Sequence, residues 1–224
     1  MYNDNRASES RLAYSEKQEE DMRRALFCAV CLVFWPLTAS AQMYMLSYGP
    51  ANPPNGFVGF CEKNPKECAP DGKGVTLPES LWDSRVALQQ LEDINNDVNQ
   101  RVKPVTDIAH HDVRDLWTLP EDNRGDCEDY VLQKRHNLIK KGWPVASLLI
   151  TVVYDEMGAG HAVLVVSTTR GEFVLDNKKG GVVRWSVVAK YYKFSIRQST
   201  ANPREWVTLD PANSVFVGAA PASR

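Results

Sequence analysis

Three residues have the types and the chain order of an acyl-transfer site: Cys127, then His161, then Asp176. Cys127 stands directly after Asp126, where a helical apolar pattern begins, so it falls in the first turn of a predicted helix. Unpaired backbone N–H groups and the positive end of the helix dipole favour a thiolate there. A cysteine nucleophile needs a base, and the base needs a group to orient it. His136 lies nine residues farther along the same helix and points elsewhere, while His110 and His111 lie in a loop. His161 opens a strand behind the small turn Gly158-Ala159-Gly160, a setting that presents an imidazole at a sheet end. Asp176 follows 15 residues later, an odd separation that puts both side chains on one face of a hairpin with an even-numbered loop. A four-residue turn at Ser167–Arg170 pairs them directly, and a six-residue loop leaves them on one face but two residues out of register.

With these roles the Cys127 thiolate attacks a carbonyl to give a thioester, its own backbone N–H helps hold the oxyanion, and the His161 imidazolium protonates the departing amine. Water then completes hydrolysis, or a second amine completes transamidation, and the residues leave both open. Each residue also has a structural alternative: an inert buried thiol, a satisfied strand histidine, an aspartate that starts a turn. Their joint order favours the chemical reading.

Asp126, Glu128 and Asp129 crowd three negative charges around Cys127. Like charge disfavours a thiolate, opposing the helix dipole. A bound divalent cation would neutralise them, and hard carboxylate oxygens suit calcium. The same acids can simply complement the helix N-terminus without metal. The block Asp107, His110, His111 and Asp112 lacks a second cluster at ligand spacing and reads as a solvated loop.

The elements that must position these groups follow from periodicity. Ala87, Leu91, Ile94 and Val98 form one apolar stripe on a predicted helix over 83–101, stopped by Pro104. A loop region runs to Gly125, and Asp126 caps a helix from Cys127 to about Lys141, ended by Gly142 and Pro144. Predicted strands follow over 145–154, 161–168, 173–176 and 182–185, with shorter ones at 191–197 and 206–209. Helices first and an antiparallel sheet after them is an α+β order, here one domain over 83–224. Residues 42–82 read as an extended, turn-rich arm, in which Cys61 and Cys68 are candidates for a local disulfide.

The 224 residues carry 26 basic and 28 acidic side chains, which excludes a protein held to nucleic acid by bulk charge. Residues 25–37 are uncharged, follow Arg23-Arg24 and precede Ala39-Ser40-Ala41. Thirteen apolar residues are too short to span a bilayer, so residues 1–41 read as a secretory signal peptide that removes Cys28 and Cys31 and leaves Gln42 first. Residues 1–21 make an unusually long acidic leader, and translation is expected to begin at Met22. The expected product is soluble and exported, periplasmic or secreted, with Cys127 unpaired.

Gly125-Asp126-Cys127-Glu128-Asp129-Tyr130, then Gly160-His161-Ala162-Val163-Leu164, then Val174-Leu175-Asp176-Asn177 resemble the bacterial transglutaminase-like cysteine peptidases, including the LapG-type periplasmic proteases. The resemblance covers roughly residues 80–200. It implies a transglutaminase/papain-like α+β fold with Cys127 as nucleophile, His161 as base and acid, and Asp176 as its orienter. It also implies calcium dependence, with Asp126 and Glu128 as ligands. Better-known members clip large surface adhesins and are restrained by an inner-membrane receptor that senses cyclic di-GMP. The Cys61/Cys68 arm is similar to that of a subgroup whose targets are not defined. A transamidase or amidase of the same fold, or a non-catalytic periplasmic peptide-binding adaptor, are the rival readings.

Overall fold

The structure, a computed structural model, describes residues 42–75, 77 and 84–213. The proposed signal segment, with Cys28 and Cys31, lies outside the described residues. Helix α1 spans Asn55–Lys63, so the segment read as an extended arm is helical at its centre. Phe57, Phe60 and Cys61 are buried at helical spacing, a pattern that the surrounding Pro, Gly and Asn residues obscure in the sequence. A disulfide joins Cys61 to Cys68 with Cα atoms 5.6 Å apart, as the spacing predicts.

Helix α2, Ser84–Arg101, buries the expected stripe of Ala87, Leu91, Ile94 and Val98. The region that follows is not a plain loop. It holds a five-residue helix α3, Asp107–His111, capped by Thr106, and a two-residue parallel ladder between Lys103–Pro104 (β2) and Arg124–Gly125 (β3). That ladder carries the chain back to the start of α4, Cys127–Lys140. Gly142, at φ 92°, ends α4 in a backbone conformation that a glycine adopts without strain.

The strands β1 (Pro50–Ala51), β4 (Leu148–Tyr154), β5 (Gly160–Thr168), β6 (Gly171–Leu175), β7 (Val183–Arg184), β8 (Lys193–Gln198) and β9 (Trp206–Thr208) form one antiparallel sheet in the order β1-β9-β8-β4-β5-β6-β7. Helix α5, Trp185–Val188, separates β7 from β8. Both faces of the sheet are covered. Leu148, Ile150, Ala162, Leu164, Val166 and Leu175 pack with α2 and α4, whereas Leu149, Val153, Val163, Val165 and Val174 pack with Met45, Val188 and Tyr192. That is why β4 and β5 read as near-continuous apolar runs instead of alternating ones. Each fully buried Leu or Val on this sheet contributes about 1.5–3 kcal/mol by area removed from water. Among the described residues no helix is long and apolar enough to cross a membrane.

Candidate active site

Cys127 is the first residue of α4, as the sequence predicts. Asp126 and Asp129 form a capping box at this end, and the Asp129 carboxylate accepts from the Asp126 N–H at 3.3 Å and the Thr118 N–H at 2.8 Å. Gly125 permits that approach, because a Cβ there would collide with the Asp129 carboxylate. The cap therefore fixes the nucleophile helix to the segment before it.

The half-buried thiol packs against the core cluster that includes Ala162 of β5, whose N–H favours the thiolate. The residue before Ala162 is His161, which is buried and bonds through Nε2 to Asp176 Oδ1 at 2.8 Å. Its other nitrogen, Nδ1, is buried without a hydrogen-bond partner among the described residues.

The His161–Asp176 pair forms, but not in direct register. The hairpin between β5 and β6 turns on two residues, Thr169 and Arg170, since Thr168 pairs with Gly171 and Leu164 with Leu175. That ladder, continued, sets Asp176 opposite Val163, two positions from His161 on the same face. The diagonal is within reach of an imidazole. A tight turn is possible because Gly171 takes φ 105° and lies against the Met43 carbonyl, where a Cβ would come within 2.8 Å.

Asp176 is buried and fully partnered. Oδ1 also accepts from the Lys178 N–H at 2.9 Å, and Oδ2 accepts from the Tyr192 hydroxyl at 2.6 Å. Burial alone would raise its pKa, but the bonds from His161 and Tyr192 outweigh it and hold the carboxyl below its ordinary value. A permanently ionised Asp176 suits an orienter of imidazolium.

The carboxylates around Cys127 behave in the opposite way. Cys127 Sγ donates to Glu128 Oε2 at 2.8 Å, and burial followed by the Glu128 charge pushes the thiol pKa up, against the helix dipole. Burial, then Glu128 and Asp107, push Asp126 up to about 8, and burial likewise carries Asp129 to about 7. Asp107 is buried, accepts from the Leu116 N–H, and lies with Asp126 and Asp129, while Asp107, Asp115 and Glu128 form a second group. The candidate oxygens of each group lie within 4.8 Å of one another. Asp107 is therefore not part of a solvated loop. Nor do its neighbours join it: His110 pairs with Asp122 at 2.8 Å and His111 is exposed. The block that holds Asp107 lacks a second cluster at ligand spacing in the sequence, and nothing there marks Asp115; tertiary packing brings both to the carboxylates at the start of α4.

Among solved structures, calcium-bound Legionella pneumophila LapG aligns at 25% identity over 57% of this chain and 74% of its own, with a TM-score of 0.46. EGTA-treated Legionella pneumophila LapG aligns at 28% identity over 49% and 61%, with a TM-score of 0.43. No curated protein matches the chain. The model of the family described as bacterial transglutaminase-like cysteine proteinase matches residues 47–214, a span that takes in most of the segment read as an arm and every residue of the site. The chain belongs to the bacterial transglutaminase-like cysteine proteinases, with their α+β transglutaminase/papain-like fold, and is a cysteine peptidase acting on protein.

Proposed function

We propose that Cys127, His161 and Asp176 are the catalytic triad, and that the peptidase works through a thioester. The observation that carries this reading is the division of the imidazole: Nε2 is committed to Asp176 at 2.8 Å, and Nδ1 is buried without a hydrogen-bond partner among the described residues. His161 takes the thiol proton at Nδ1, and Cys127 attacks the scissile carbonyl. The backbone N–H of Cys127 stabilises the oxyanion. The imidazolium protonates the leaving amine, and water attacks the thioester with His161 as base. Family membership favours water over a second amine as the acceptor.

Calcium belongs to this reading, held by Asp126 and Glu128, with Asp107 and Asp115 close enough to join them. The donor set fits a hard divalent cation. It is all carboxylate, burial and the charges of Glu128 and Asp107 raise the pKa of Asp126, and Asp126 Oδ1 is buried without a partner among the described residues. A bound cation would supply positive charge that removes the penalty on the Cys127 thiolate and draws Glu128 off the thiol.

The expected signal peptide and the disulfide support an exported enzyme. The family resemblance extends the proposal to a large surface adhesin as substrate and an inner-membrane cyclic di-GMP receptor as regulator. Two experiments test it. Iodoacetamide should label Cys127 quickly in the native, calcium-loaded protein and abolish activity; a slow, inert thiol would favour the adaptor. Surface proteomics of wild type against Cys127→Ala should reveal a protein retained uncleaved, and an unchanged surface would sink the adhesin assignment.

A further inference from the structure

Tyr192 reads in the sequence as an ordinary strand residue, yet it is buried at 3% exposure and spends its hydroxyl on the triad. The bond to Asp176 Oδ2 is 2.6 Å, and the two rings of Tyr192 and His161 stand 5.6 Å apart at 39°. The phenol therefore touches both members of the dyad. Its backbone is anchored by the turn after α5, where the Tyr192 N–H donates to the Val188 carbonyl at 3.0 Å. Val188 is itself buried against the sheet.

A carboxylate held at Oδ1 alone can swing about its Cβ–Cγ bond and offer His161 a poorly directed lone pair. With donors on both oxygens, that rotation is closed. We propose that Tyr192 is a positioning residue of the site, its hydroxyl locking Asp176 so that Oδ1 faces His161 Nε2. The proposal rests on the triad reading given above. A buried tyrosine that needed only a partner for its hydroxyl could take a backbone carbonyl, as Tyr130 does with Val102. Tyr192 takes the orienting carboxylate instead. Burial and the Asp176 charge push its own pKa up, so it remains a donor at every working pH.

The charged groups that face this pair are few. Lys134 reaches it electrostatically from α4, Asp155 and Glu156 from the turn between β4 and β5, and His161 from β5. Removing the phenol takes a donor from the deprotonated dyad, so the dyad binds its proton more tightly. In Tyr192→Phe the apparent pKa of His161, followed by NMR of histidine-labelled protein, should rise by roughly half a unit to one unit. Because Asp176 is then free to turn and His161 is no longer aimed, alkylation of Cys127 by iodoacetamide at neutral pH should slow roughly tenfold even though the imidazole is more basic. Placing 3-fluorotyrosine at 192, a stronger donor of nearly the same shape, should move the His161 pKa the other way. That reversal keeps the test decisive even where Tyr192→Phe fails to fold, since packing alone cannot produce it. Both pKa values unchanged, with alkylation within twofold of wild type, would overturn the role of Tyr192. Asp176→Asn separates the two readings. If it too leaves the His161 pKa and the alkylation rate unchanged, the triad itself is wrong. If it alters both while the Tyr192 variants do not, only the positioning role is lost.

Discussion

Two sets of buried carboxylates lie close to one another and titrate in opposite directions. Asp176 meets three donors, His161 Nε2, the Lys178 N–H and the Tyr192 hydroxyl, and is held ionised. Asp126, Asp129 and Asp107 accept backbone N–H bonds but face one another's charge and pair with no cationic side chain among the described residues, and burial with that charge pushes Asp126 up to about 8 and Asp129 to about 7. Burial is the first cause in both places. The difference is what stands opposite the charge. The dyad is electrostatically complete as a set of protein atoms, whereas the cluster at the start of α4 has the charge balance of a site that completes itself with a cation. In the proposed triad the base is thus assembled from protein atoms alone, while the proposed nucleophile depends on a cation.

The largest effect should come from breaking the complete side. Asp176→Asn removes the charge and disturbs the imidazole tautomer, and peptidase activity should fall by at least about a hundredfold with little change in substrate KM. Retention of more than a tenth of the activity would mean that Asp176 is not the orienter.

Next comes the incomplete side. Chelation by EGTA should lower the melting temperature by roughly 8 °C from its value in calcium at about a hundred times Kd. The pH dependence sharpens the contrast. A carboxyl whose folded pKa is raised stabilises the fold below its ordinary range, and that contribution is lost as pH rises toward about 8. In EGTA the melting temperature should therefore decline between about pH 4 and pH 8, and calcium should flatten the slope. Asp126→Asn should do the same without metal. A calcium-independent melting curve in the wild type would remove the metal from the account.

A smaller effect is expected at Lys134, which lies seven residues after Cys127 on α4. Burial pulls its pKa down to about 7 against the pull of Asp176, and Nζ has no hydrogen-bond partner among the described residues. The folded state binds this proton less tightly than the unfolded chain, so stability rises with pH from about 7 toward the ordinary lysine value. Lys134→Met should stabilise the fold by about 2 kcal/mol at neutral pH, with the gain shrinking in alkali. Denaturant titration at pH 7 and pH 10 checks both sign and trend. Reduction of the Cys61–Cys68 disulfide, which closes a short loop, should cost about 2.5 kcal/mol.

What could be read from the chain follows the range of the interactions involved. The extents of α2 and α4 were legible because stripes and caps are local patterns, and the three candidate residues stood out because each has a distinct setting within a few positions of itself. The register of His161 against Asp176 was legible only as a shared face, since the length of the turn depends on Gly171 accommodating the Met43 carbonyl far away in sequence. Helix α1 was hidden by its flanks. Asp107 stands out in the sequence but reads, wrongly, as part of a solvated loop, and Asp115 and Tyr192 carry no signal, because the partners that matter lie many positions away in the chain. Gly56 shows how such a residue is placed: its N–H donates to Asp115 Oδ2 at 2.9 Å, and a Cβ there would strike Trp117.

The edge of the sheet has a kinetic meaning. Strands β1 and β9 come from opposite ends of the folded region, about 155 residues apart, yet they are neighbours, and the Tyr48 N–H donates to the Thr208 carbonyl while the Thr208 N–H returns to the Gly49 carbonyl. Such distant pairing adds little to the equilibrium cost of loop closure but much to the time needed to find it. A chain emerging from its N-terminus cannot seat β1 until β9 has been made, so the sheet that carries His161 stays open at this edge until β9 has emerged. Joining the chain near residue 48 to the chain near residue 208, and opening new ends in an exposed loop, would make that contact local and should speed folding.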